Sequence, residues 1–212
     1  MILKPSICLS TLKTELNNLR SLDSKNQTQF AASASKSGKV GITKTQLHLL
    51  TEAIFFTAFR AYEQFLRNIF LLYCCGIQPR KRKLVRSYLN PRSIKHAGVL
   101  IQSSMPYLDW SSPDILLERA ETYLKDGYPI KKAISTDVDL LRDLKKIRNH
   151  IAHMSNESLR EFKKVVKKHY STIPLRIPKP GEFLLLTSRK AKGSYYLQYY
   201  LQLIEDVATS MT

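Results

Sequence analysis

Late in the chain an arginine, an amide and a histidine stand close together, as Arg148, Asn149 and His153 of the stretch RNHIAH. Their types suit one reaction. RNA carries its own nucleophile, the 2′-OH. Cleavage needs a base for that hydroxyl, positive charge on the pentavalent phosphate and a proton for the leaving 5′-oxygen. Histidine is the side chain whose ordinary pKa suits proton transfer near neutrality. Arginine offers a permanent, forked charge for phosphate oxygens. Such a set calls for no metal and no cofactor. One imidazole does not easily serve both sides of the scissile bond, so the mechanism favours a two-fold dimer with two copies of the helix. Against this stands the plainer reading, that an arginine and a histidine near the end of a polar helix face meet by chance.

The helix that must carry these residues is predicted to start at Thr136 as cap, with Asp137 and Asp139 in a first turn that favours acids. At about 100° per residue, Leu140, Leu144, Ile147, Ile151 and Met154 fall on one side and face the core. Asn149 and His153 share the opposite side, with Arg142 and Lys145 near them and Arg148 on the flank. His150 lies at the edge of the apolar stripe and reads as a packing or solvent histidine. Ser158 and Glu161 form a capping-box pattern, which predicts a further helix to about Tyr170 with Phe162, Val165 and Val166 inside.

The rest of the chain reads as supporting helices. Leu9, Leu12, Leu16, Leu19 and Leu22 make a stripe over residues 6–30, followed by a loop-like joint at 31–41. A long helix is expected from Lys44 to Cys75, stopped by Gly76, with Leu50, Ile54, Phe55, Phe59, Tyr62, Leu66, Ile69 and Tyr73 on its apolar face. Glu63 lies within it. It reads either as a surface carboxylate paired with Arg67 or as one that orients a histidine or arginine from another helix. Residues 93–104 suit a short helix. Ser112-Pro113 opens another that Gly127 closes, and Trp110 is expected as a lid on the core. GEFLLLTS (181–188) reads as a short extended segment, and SYYLQYYLQLIEDVATSM as a closing helix. Together these predict one all-α domain over residues 1–212, a compact helical bundle. It comprises an N-terminal helix and joint (1–41), an insertion between the two central helices (77–135) and an extended segment near the C-terminus.

The 212 residues carry 34 Lys and Arg against 17 Asp and Glu, a net charge of +17. That excess seeks phosphate: nucleic acid first, an acidic protein second, an anionic membrane third. Its densest run is Arg80, Lys81, Arg82, Lys83, Arg86, Arg92 and Lys95, with Tyr88 among them. The run is either a phosphate-tracking surface or a solvated loop. An apolar fraction of 43% excludes global disorder. Three cysteines, Cys8, Cys74 and Cys75, lack disulfide or zinc spacing. The N-terminus lacks a signal peptide's apolar core, and the most apolar window, 53–75, is broken by Arg60, Glu63 and Arg67. No membrane partner and a reducing cytoplasm are therefore expected.

Arg148-Asn149 followed after three residues by His153 resembles the signature of the HEPN superfamily: arginine, a polar residue, variable positions, then histidine. AFRAYEQFLRNIFLLY (58–73) resembles the long helix of that family in which a carboxylate supports the motif, and Glu63 matches that position. The layout is most similar to RiboL-PSP-type HEPN nucleases of bacterial toxin and defence loci, over about residues 44–210. The resemblance implies a helical bundle, commonly dimeric, that cuts RNA without metal. Arg148 and His153 would be its catalytic pair, Asn149 their polar companion and Glu63 an orienting carboxylate. It also implies an antitoxin or other regulatory protein as a possible partner. HEPN domains also include inactive binders, so a non-catalytic nucleic-acid or partner-binding module is the alternative. The basic run after Gly76 has no counterpart in the family pattern.

Overall fold

Local chemistry sets where the helices begin and end. In the computed structural model, described over residues 3–34, 41–79, 83–103, 108–170, 174–187 and 193–212, the first helix α1 spans Pro5–Ala34. Leu12, Leu16 and Leu19 are buried along it, but Leu22 is exposed. After Leu19 the next position on the same face is Asp23, which is buried with Asn26. Residues 31–34 thus continue α1, and residues 35–40 of the expected joint lie outside the described residues. Helix α2 spans Lys44–Cys74. Gly76 follows it in the left-handed region (φ 73°), where a side chain would be strained.

Helix α3 spans Ile94–Gln102, capped by Ser93, whose side chain accepts from the His96 N–H. Helix α4 spans Pro113–Tyr123, with the proline in its first turn. A single 3-10 turn, Lys125–Gly127, leads to the short α5, Ile130–Ser135. Thr136 has helical backbone at the end of α5 rather than capping the next element. That element, α6, spans Val138–His153, and α7 spans Asn156–Tyr170. The cap of α7 is Ser155, not Ser158: the Ser155 Oγ accepts from the Ser158 N–H at 3.2 Å.

The expected extended segment is instead a helix, α8, Pro180–Leu184. A short apolar run does not distinguish a strand from a buried helix. Here a proline opens the helix, and Gly181 lets it press on α2. A Cβ at Gly181 would stand 2.2 Å from the His48 carbonyl oxygen, and the Gly181 N–H donates to Glu52 at 2.8 Å. Among the described residues an isolated antiparallel bridge, Thr187 to Tyr195, follows. Helix α9 spans Tyr196–Met211. The fold is all-α: among the described residues there are nine α-helices and no strand. None of those helices is long and apolar enough to cross a membrane.

Two units share these elements. One comprises residues 1–14, 61–142 and 204–212. Its core holds Tyr62, Phe65, Phe70, Ile101, Leu116 and Ile134. Trp110 meets Phe70 edge-on at 5.5 Å, as a lid should, and the Tyr73 hydroxyl donates to the Met211 carbonyl. The other unit comprises residues 15–60 and 143–203. Phe55, Leu144, Ile147, Phe162, Phe183 and Tyr200 are buried in it. Phe183 stacks on Tyr196 at 4.9 Å and meets Phe162 edge-on at 5.7 Å.

Candidate functional site

Helix α6 presents its last two turns within the second unit. Leu144 and Ile147 are buried there, while Ile151 is half-buried and Met154 is exposed. Met154 leaves the core stripe because the helix ends before it, at His153, and its own φ is 47°. At the start of α6, in the first unit, Leu141 is buried and Leu140 only half so. The buried face is therefore rotated slightly from the expected one. It takes in Asp143, 4% exposed, which receives Lys168 Nζ from α7 at 2.7 Å.

Arg148 projects onto the rings of α2. Its guanidinium carbon lies 5.4 Å from the centroid of Phe59 and 5.8 Å from that of Phe56. Such cation–π contacts hold the planar group against the rings. Nη1 donates to the Asn149 side-chain oxygen at 3.0 Å, so the amide orients the guanidinium. His153 is exposed in the last turn, one turn beyond Asn149. Helix periodicity places Asn149 and His153 on one outer side.

His150 has the opposite environment. Its ring stacks on Phe162 at 5.1 Å, and Nδ1 meets the Ser158 hydroxyl at 3.1 Å. Burial pushes its pKa below the ordinary value. It is the packing histidine that its place at the stripe edge suggested, and it ties α7 to the end of α6. The corner holding His153 is thus fixed from both sides: by the Ser155 cap and by the His150 stack.

The other candidates differ in what surrounds them. Glu63 is half-exposed on α2 in the first unit. Arg142, in the same unit, is bound at 2.5 Å to Asp114 and 2.8 Å to Asp139, and these hydrogen bonds raise its pKa further. Its charge is already spoken for. Lys145 is half-exposed on α6. Arg80, Lys81 and Arg82 lie outside the described residues, whereas Lys83 and Arg86 are exposed. Cys8 and Cys74 are buried thiols, and burial pushes Cys74 up to about 12.

Two features escaped the sequence reading. The first is a polar cluster behind α6: Asp143 4.0 Å from His169 Nε2, with His169 Nδ1 at 3.0 Å from the Tyr196 hydroxyl. The His169 side chain is 3% exposed, so this cluster holds helices together rather than meeting solvent. The second is the outer face of α7, where Arg160, Lys163, Lys164 and Lys167 are all exposed. Their i, i+3, i+4, i+7 spacing was readable as a cationic stripe. Glu161 answers part of it, meeting Lys164 at 2.5 Å and Lys146 at 3.7 Å. No protein-family model, curated protein or solved structure matches the chain.

Proposed function

We propose that this chain is a metal-independent endoribonuclease of HEPN type, acting in a bacterial toxin or defence setting in the cytoplasm. The observation that supports it best is on α6: a guanidinium held by two aromatic rings and an amide, about a turn and a half along the helix from an exposed imidazole. In this reading Arg148 offers its forked charge to the phosphate, and Asn149 keeps the fork oriented. His153 moves the proton. Two copies of the chain assemble about a two-fold axis, so that one imidazole serves the 2′-OH and the other the leaving 5′-oxygen. Lys145, on the same helix, adds positive field. A regulatory protein holds the activity in check.

The test is RNA cleavage in EDTA by the wild type, Arg148→Ala and His153→Ala. Cutting by the wild type alone, with 2′,3′-cyclic phosphate and 5′-hydroxyl ends, is the expected result. Equal cutting by all three removes the assignment, and 3′-hydroxyl ends point to a different chemistry. The aromatic seat of Arg148 also favours a second reading, a non-catalytic binding module in which this arginine is a packing group. There the wild type cuts no RNA, and Arg148→Ala lowers the melting temperature without changing RNA affinity.

A further inference from the structure

The stretch from Lys83 to Leu89, in the first unit, is not a loose basic loop. It has no helix of its own, and its backbone is pinned from outside. The Gln78 side chain accepts from the Val85 N–H at 2.8 Å and donates to the Val85 carbonyl at 2.8 Å. The Lys125 N–H donates to the Arg86 carbonyl at 2.8 Å, and the Tyr88 N–H donates to the Tyr123 carbonyl at 2.9 Å. Ser87 pairs antiparallel with Leu124. An extended chain sends alternate side chains to opposite sides. Val85 accordingly goes inward, at 3% exposed. Leu84, Arg86 and Tyr88 go outward, with Leu84 at 64% and Tyr88 at 65%.

Apolar, cationic and aromatic side chains at 84, 86 and 88 are thus exposed in turn along the segment. Lys83 lies 5.8 Å over the Tyr128 ring, and Arg92 and Lys95 are exposed just beyond. A solvated basic loop has no need of a fixed backbone or of a large aromatic ring left in water. A duplex offers its phosphates but not the faces of its bases. A single strand offers both, phosphates for the cations and a free base for the ring.

We infer that this pinned ribbon is a capture site for single-stranded nucleic acid. Tyr88 stacks on a base, and Arg86, Lys83, Arg92 and Lys95 hold the flanking phosphates. Because the backbone is already ordered, binding costs little additional chain entropy. The ribbon carries this claim by itself; that the captured strand is also cut rests on the nuclease reading above.

The experiment is fluorescence anisotropy on the full chain carrying His153→Ala, which keeps the strand intact. The probes are a short oligouridine, its deoxy counterpart and an RNA duplex, with inorganic polyphosphate and phosphatidylserine vesicles as competitors. Tighter binding of the single strands than of the duplex is expected. Tyr88→Ala should weaken oligonucleotide binding about tenfold or more, with polyphosphate binding unchanged and Tyr88→Phe close to wild type. Arg86→Ala should weaken both and lower the salt slope by about 0.7. Comparison of the ribose and deoxyribose strands shows whether RNA is preferred. Equal binding of duplex and single strand, indifference to Tyr88→Ala, or displacement of the strand by vesicles would each overturn the proposal. None of these readouts depends on cleavage, so loss of the nuclease reading leaves this one standing or falling by its own result.

Discussion

The ribbon at 83–89 and the outer face of α7 are both cationic, yet they are built in opposite ways. Helix α7 satisfies its own backbone, and its exposed positions Arg160, Lys163, Lys164 and Lys167 carry charge alone. The ribbon takes the partners of Val85, Arg86 and Tyr88 from Gln78, Tyr123 and Lys125, and only Leu89 among these bonds is held locally, by the Ser87 hydroxyl. It places an aromatic ring and an apolar side chain among its charges. A self-sufficient helix can vary its outer residues at little cost to folding. A borrowed ribbon cannot, because its shape depends on a few distant groups. The first surface suits any polyanion, and the second suits one that offers bases.

The largest expected break in this comparison is Gln78→Ala. It removes both partners of the Val85 backbone in a part-buried position and should cost roughly 1 kcal/mol, read as a lower urea midpoint. The same change should erase any preference for single strands over polyphosphate while leaving general polyanion binding in place. Next comes the triple change Arg160→Ala, Lys163→Ala and Lys167→Ala on α7. Loss of three phosphate contacts should lower the salt slope for a single strand by about 2 and weaken binding about tenfold near physiological salt. Stability should move by less than about 0.5 kcal/mol per site, because these side chains point to water. A triple variant that melts early would mean that the two surfaces are not built differently after all.

Periodic segments were legible in the sequence because burial repeats with the helix. Leu12, Leu16 and Leu19, and Phe162, Val165 and Val166, lie inside as their spacing demands. Periodicity failed where a polar group takes a core position. Asp23 displaces Leu22 and Asp143 rotates the face of α6, each supplied with a partner from elsewhere in its unit: Gln198 for Asp23, Lys168 for Asp143. No local pattern contains that partner. The segment 181–188 failed for another reason: its apolar run has no period, and only the approach of Gly181 to His48 decides for a helix. At the candidate site, the exposure of His153 and the packing role of His150 followed from position on α6. The seat of Arg148 on Phe56 and Phe59 did not, since those rings come from a helix far earlier in the chain.

A smaller effect concerns the corner that joins α7 to the candidate site. Burial lowers the pKa of His150, so the unfolded chain binds the proton more readily than the folded one. Its contribution to stability is therefore complete above the unfolded value, ~6.5, and is lost as pH falls through the lower folded value. Melting temperature should drop on acidification from pH 7 to pH 5. His48, also lowered chiefly by burial, acts in the same direction. His150→Phe should reduce the acid sensitivity without abolishing it; an unchanged pH profile would mean that the stack on Phe162 does not favour neutral imidazole.

The smallest effect belongs to Arg142, which by charge alone resembles the cations of α7. Asp114 and Asp139 hold its guanidinium from two directions, so a phosphate would have to displace two carboxylates to reach it. Loss of a free cation from a binding surface lowers the salt slope by about 0.7 for a single strand. Arg142→Ala should leave that slope unchanged within error, whereas Lys163→Ala should lower it by nearly the full amount. If the two substitutions gave the same slope, engagement by carboxylates would not be what separates silent charge from binding charge in this chain, and exposure alone would be the better guide.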